Sequence, residues 1–263
     1  MGLDRRKFIK LAGVTALTVV GGAGAKALVG DDSTATVDSL TGENRPPLNA
    51  KRWAMVVDMR KCKQLEGCDK CIKACHTYHN VPDFNNPKDE VKWIWKEKFE
   101  HVFHEQQNDY TEEAVKNLPV PLLCNHCDNP PCTQVCPTEA TWKRESDGIV
   151  MMDWHRCIGC RYCVLACPYG SRSFNWRDPR SHIETINPDF PTRMRGVVEK
   201  CTFCESRLAR GLMPSCVEVC PEHALVFGDI EDAESEVRQL LGENFTLRRR
   251  PELGTKPEVY YIV

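Results

Sequence analysis

The chain has 263 residues, a formal net charge of -2 and a sequence pI near 6.5, so it lacks the strongly basic footprint of a nucleic-acid binder. A hydrophobic fraction of 41% with a mean hydropathy of -0.44 predicts a soluble globular body, in which only residues 11–29 approach the length of a membrane span. The anomaly is 16 cysteines, which at the level of composition leaves disulfide and metal readings open.

The first predicted element is an address. Arg5-Arg6-Lys7-Phe8-Ile9-Lys10 leads into a Gly/Ala-rich apolar stretch at residues 11–25, with small residues near Ala25 where a peptidase cuts. The run resembles a twin-arginine export signal, with Asp4 where that pattern usually carries Ser or Thr. A membrane-anchoring helix is the rival reading, opposed by Gly13, Gly21, Gly22, Gly24 and Lys26. Residues 1–30 are expected to be the signal, and residues 31–51, polar and carrying Pro46-Pro47, a linker. The route bears on the cysteines, because thiolates committed to metal before export do not form disulfides in an oxidising compartment.

Next comes a β-rich run, Trp53–Asp58, entering the first cysteine group, Cys62, Cys68, Cys71 and Cys75. The second group is Cys124, Cys127, Cys132 and Cys136, followed by Pro137. Residues 141–144 and 149–153 then read as a hairpin about the turn Glu145-Ser146-Asp147-Gly148. The third group, Cys157-x2-Cys160-x2-Cys163-x3-Cys167 before Pro168, is the bacterial ferredoxin run, in which three thiolates hold one [4Fe-4S] cluster and the fourth reaches its neighbour. The fourth is Cys201, Cys204, Cys216 and Cys220 before Pro221. Last, residues 232–241 carry Ala233, Val237, Leu240 and Leu241 at helical spacing, with Gly242 as the expected stop.

Two internal echoes point to a duplicated unit: Asp58 stands four residues before Cys62 as Asp153 does before Cys157, and Cys132 to Ala140 mirrors Cys216 to Ala224. Because a fourth cysteine serves another cluster, the groups must work in pairs. The short gap between Cys136 and Cys157 pairs groups two and three, leaving one and four to meet across the chain. The expected fold is α+β, two ferredoxin-like bis-[4Fe-4S] lobes with one inserted in the other. The outer lobe takes residues 52–115 and 195–263, and the inserted lobe takes 116–194.

Structural zinc and a disulfide framework are the non-redox alternatives, implying a binding protein without electron transfer. Repeated C-x3-C-P and four cysteines per group speak against zinc, and no C-x-x-C is followed by the His of a c-type haem, so no haem is expected. His76, His79 and His126 read as packing or hydrogen-bonding residues rather than ligands. Arg156, Arg161 and Lys200 are positive charges placed to raise cluster potentials, and no residue reads as catalytic.

The order of the groups, with C-x2-C-x4-C-x3-C-P second and C-x2-C-x11-C-x3-C-P last, resembles the four-cluster electron-transfer subunits of molybdopterin oxidoreductases and NrfC-like complexes. Segments such as Cys75-His76-Thr77-Tyr78-His79-Asn80-Val81-Pro82, Lys92-Trp93-Ile94-Trp95-Lys96-Glu97 and Ser173-Phe174-Asn175-Trp176-Arg177-Asp178-Pro179 are similar to the narrower DsrO family. These are the exported ferredoxin-like subunits of DsrMKJOP membrane complexes in sulfur metabolism. The resemblance implies an electron-transfer subunit at the periplasmic or extracytoplasmic membrane face. Its partners would be an NrfD-like, quinone-handling integral membrane subunit, an exported multihaem cytochrome c and the other subunits of such a complex. An exported molybdopterin or nitrite reductase system is the alternative partner set. The chain departs from the family at Cys62-x5-Cys68, where two intervening residues are usual. Four [4Fe-4S] clusters are therefore expected, or three if this enlarged loop fails to bind.

Overall fold

Trp53–Asp58 forms strand β1, and its six residues are buried because neighbours cover it on both edges and both faces. Alternation divides the strand. Trp53, Met55 and Val57 enter the main core, whereas Ala54 and Val56 meet Val226, Val237 and Ile262 in a smaller cluster beneath the helix Glu236–Glu243. Asp58 then ends the strand: its carboxylate accepts from the Arg60 and Lys61 N–H groups and pairs with the Arg60 guanidinium at 2.9 Å, starting the helical turn Met59–Cys62. The computed structural model describes residues 45–263 apart from 66 and 107, so the expected signal at 1–30 and the linker as far as residue 44 lie outside the described residues.

The remaining strands are β2 (Ile94–Lys98), β3 (Pro119–Leu123), β4 (Thr141–Lys143), β5 (Val150–Met152), β6 (Ser173–Phe174), β7 (Val198–Glu199), β8 (Leu225–Asp229), β9 (Thr246–Leu247) and β10 (Val259–Ile262). A simple rule organises them. Each cysteine group has one strand leading in, β1, β3, β5 or β7, and one leading out, β2, β4, β6 or β8. The strand leaving one group pairs antiparallel with the strand entering the next: β2 with β3, β4 with β5, β6 with β7 and, closing the ring, β8 with β1. β10 adds to the free edge of β1 in parallel, Met55 opposite Val259, and β9 pairs antiparallel with β10. One hydrophobic core runs through the ring, joining Met55, Phe227 and Tyr261 to Val120, Leu122, Ile149 and Phe190. Residues 45–51 lie along this body, with the Leu48 N–H donating to Leu208 O and Lys51 N–H to the Asp229 carboxylate. Among the described residues no helix is long and apolar enough to cross a membrane.

The hairpin at 141–153 forms as β4 and β5, with Gly148 at φ +78 closing the turn. The late helix differs from expectation. It spans Glu236–Glu243, starting after Ser235, whose hydroxyl accepts the Arg238 N–H, and running through Gly242 to end at Asn244. Asp232 accepts from the Glu234 N–H in a turn, which keeps residues 232–234 out of the helix. Gly242 thus lies within the last turn of the helix, and a Cβ built there meets nothing within 4 Å. Gly242→Ala is expected to stabilise the protein by about 0.5–1 kcal/mol, read as a raised denaturation midpoint with an unchanged slope; a lowered midpoint would contradict this placement.

Candidate iron-sulfur sites

The ring brings the cysteines into four sets, each drawn from two sequence groups. Cys124, Cys127 and Cys132 line a cavity with Cys167, here the Cys127 site. Cys157, Cys160 and Cys163 line another with Cys136, the Cys160 site. Cys62, Cys68 and Cys71 line a third with Cys220, the Cys68 site, so the enlarged loop does deliver Cys62 to its neighbours. Cys75, Cys201, Cys204 and Cys216 form the fourth, the Cys204 site, where a charge on any of the last three opposes ionisation of Cys75. All 16 cysteines are free thiols. Among the described residues no three Cys, His, Asp or Glu side chains close around a point that one ion would fill.

Electrostatic neighbours order the sites in a row. Cys71 lies close enough to Cys216 to raise its pKa, linking the Cys68 and Cys204 sites, and Cys124 does the same to Cys201, linking the Cys204 and Cys127 sites. Arg172 completes the row, interacting with Cys132 and Cys124 on one side and Cys163 on the other. The middle sites are enclosed: all four thiols of the Cys204 site are buried, as are three of the Cys127 site. Each outer site has one buried thiol and three half-buried ones.

Local backbone turns sulfurs inward. His126, Phe203 and Cys204 adopt positive φ within the cysteine loops. So does Gly159 at +69, and there a Cβ would come within 2.3 Å of Gly196 O and 3.1 Å of the Phe174 ring, so only glycine fits. Donors meet the sulfurs: the Arg172 guanidinium lies 3.0 Å from Cys132 Sγ, Ala224 N–H points at Cys220 Sγ at 3.2 Å and Phe203 N–H at Cys201 Sγ at 3.4 Å. Burial pushes the thiols up, to about 11 at Cys71 and Cys204 and about 12 at Cys127 and Cys201. At the more open Cys136 burial works the same way, but hydrogen bonds from Thr141, Thr138 and Ala140 prevail and lower it.

The histidines flagged beside cysteines serve the scaffold. His126 stacks on Phe203 at 3.7 Å and its Nδ1 accepts the Val150 N–H at 3.1 Å; burial, joined by Lys200 and Arg172, holds it neutral. His79 stacks on Trp93 at 4.4 Å with Nδ1 2.9 Å from Cys75 O, and burial lowers its pKa to about 3. His76 Nε2 lies 3.2 Å from Ile94 O. Lys200 is completely buried, its ammonium donating to Val150 O and, at 2.8 Å, to Cys201 O; burial lowers its pKa against the pull of Cys124, Cys201 and Cys132. Arg156 and Arg161 are exposed, Arg156 pairing with Asp153 at 3.5 Å and Arg161 covering the Trp176 ring. Sequence reasoning missed Arg172, which stands five residues after Cys167 with no spacing signal. It also missed the buried Arg193–Glu199 pair, 2.6 Å apart with both side chains at 0% exposure.

The donor set fits iron-sulfur clusters. Each set offers four sulfurs from two parts of the chain, three of the sets around a cavity, with N–H donors aimed at sulfur and buried thiols that stay protonated until metal displaces the proton. Comparison with known proteins agrees. Two family models described as 4Fe-4S dicluster domains match residues 115–183 and 156–224. The chain is 40% identical to "Hdr-like menaquinol oxidoreductase iron-sulfur subunit 1" of Archaeoglobus fulgidus, over 98% of this chain and 97% of that protein. It is 38% identical to "Menaquinone reductase, iron-sulfur cluster-binding subunit" of Nitratidesulfovibrio vulgaris, over 80% of this chain and 88% of that one. Protein NrfC of Escherichia coli is 34% identical over 82% of both chains.

Proposed function

Because the chain belongs to the family of 4Fe-4S dicluster electron-transfer subunits of oxidoreductase complexes, and is not a catalytic subunit, we propose that it carries four [4Fe-4S] clusters in a membrane-associated respiratory complex of dissimilatory sulfur metabolism. In this reading the 16 cysteines are the ligands, including Cys62, and the segments 52–115 and 195–263 enclose the inserted segment 116–194. The observation that carries it is the exchange of fourth cysteines: every thiol set takes three sulfurs from one region and one from another. A bound cluster supplies one-electron transfer without making or breaking a covalent bond to substrate. The chain's own residues hold the sulfurs, exclude water from the two middle sites and supply donors to sulfur.

The row of sites has two open ends, which suits a carrier between two partners. At the Cys160 end, Ile158, Tyr162 and Leu165 are 66%, 60% and 89% exposed, an apolar surface suited to docking. We assign the partners as a quinone-reactive NrfD-like membrane subunit and an exported multihaem cytochrome c, within a DsrMKJOP-like complex. Support comes from the motif segments and from relatives whose names include a menaquinol oxidoreductase and a menaquinone reductase. The Arg5-Arg6 run supports twin-arginine export to the extracytoplasmic face of the membrane.

Anaerobic purification followed by iron and acid-labile sulfide analysis tests the central claim. About 16 irons per chain, as four cubanes require, with reduced-state EPR of interacting clusters, is the expected result. About 12 would remove one site, with Cys62 the first suspect, and stoichiometric zinc without iron would end the electron-transfer reading.

A further inference from the structure

We propose that Arg172 and Lys200 are tuning residues that make the Cys127 site, an interior member of the row, hold the most easily reduced cluster. The inference rests on the four-cluster reading above.

Reduction adds one negative charge to a cluster, so it is favoured by positive charge nearby and most strongly by positive charge that water does not screen. Arg172 is 4% exposed, and its guanidinium touches Cys132 Sγ at 3.0 Å and Thr141 Oγ1 at 2.9 Å. Lys200 is 0% exposed, and among the described residues its ammonium bonds to the carbonyls of Val150 and Cys201 alone. Among the described residues neither cation has a carboxylate within ion-pair distance. Buried cations are ordinarily paired, so two without a carboxylate partner among the described residues, both acting on Cys124 and Cys132, call for an anion, and a thiolate-held cluster supplies it.

The other sites receive less. The Cys160 site shares Arg172 through Cys163, and its second cation, Arg161, is exposed. The Cys204 site shares Lys200 through Cys201, while its nearby Arg207 is paired with Glu218. Among the described residues the Cys68 site has no buried cation: Lys70 is exposed, Lys96 half-buried, and Glu222 lines the same cavity. Only the Cys127 site is flanked by both Arg172 and Lys200.

Potentiometric EPR on dithionite-titrated wild type, Arg172→Met and Lys200→Met, with iron and sulfide measured on the same samples, tests this. The highest-potential component is expected to fall in both variants by at least a tenfold change in its reduction equilibrium, 59 mV for a one-electron couple. A second component should fall only in Arg172→Met, a third only in Lys200→Met, and a fourth in neither; a merely structural role would not sort the components this way. Arg172→Lys should restore the potential lost in Arg172→Met. A highest-potential component that stays in place in either variant overturns the inference, whereas fewer than four clusters in the wild type overturns the underlying reading instead. Should a Met variant not accumulate, wild type poised so that only its highest-potential component is paramagnetic tests whether that component lies at an enclosed site. Weak relaxation enhancement by a dissolved dysprosium chelate is expected, as for either enclosed site, Cys127 or Cys204, and strong enhancement, as at the open Cys68 or Cys160 sites, overturns the proposal.

Discussion

Iron removal is expected to abolish cooperative folding. The thiols belong to the core, since Cys71, Cys75, Cys124, Cys201 and Cys216 pack within the main hydrophobic cluster, and every set ties together segments far apart in sequence. A structural metal held by thiolates contributes binding free energy on the order of 10 kcal/mol that is also folding free energy, as large as the entire net stability of a domain, about 5–15 kcal/mol. Chelation under reducing, anaerobic conditions should erase the near-UV circular dichroism and the calorimetric transition. Retention of a sharp transition within a few degrees of the loaded protein would mean that the apolar core alone suffices.

Replacing Arg193 by Met should destabilise the loaded protein by about 3–5 kcal/mol, because it strands a buried carboxylate. Glu199 is fully buried and accepts from Arg193, from Trp93 Nε1 at 2.9 Å and from the Asn175 amide. Arg193 also donates to the carbonyls of His79 and Asn80 and lies over the rings of Trp93, Trp154 and Phe190. The same knot holds His79 against Cys75, so its loss loosens the helix Lys70–Tyr78 that carries Cys71 and Cys75. For a chain of this size the change corresponds to a melting temperature lower by about 6–20 °C. Pairing Arg193→Met with Glu199→Gln should recover part of it; an unchanged melt in the single variant would show that water reaches Glu199.

Much of this was legible in the sequence because cluster chemistry constrains spacing. The ferredoxin run and the C-x3-C-P repeats announce themselves locally, and β1 and the β4–β5 hairpin follow from short apolar runs beside turn residues. The start of the helix at Glu236 was missed because Ser235 outcompetes the preceding acidic turn, a contest that periodicity does not register. The ring of strand pairs was also unread: β6 and β7 are two residues each, β3 carries Pro119 and Pro121, which argue against a strand, and β2 is defined only by its pairing with β3. Lys200 was noticed as a charge beside a cysteine, but its complete burial depends on Val150 coming from another part of the chain. Arg172, Arg193 and Glu199 gave no signal at all, since an arginine or glutamate in a loop reads as solvated until the fold encloses it.

The ring of strand pairs imposes a timetable on folding. Three of its joints, β2–β3, β4–β5 and β6–β7, connect neighbouring stretches, and their loop-closure cost is modest. The fourth, β8–β1, spans nearly the whole described chain, and β10 adds to β1 from still further along. As the polypeptide emerges, β1 must wait, with its apolar faces uncovered, until residues 225–262 have left the ribosome. Cys62 waits with it, because Cys220 completes its cavity. The Cys160 cavity is lined by nothing beyond Val198, whereas the loop around Cys127 is also held by residues 255–258, with Asp128 N–H donating to Lys256 O, Asn129 N–H to Thr255 O and Glu258 N–H to Asn125 O. Metal loading should therefore begin at the Cys160 cavity, with an interval in which that site is ready and the others are not. During that interval the nascent protein exposes reactive thiols and an unpaired strand, and is most in need of a chaperone.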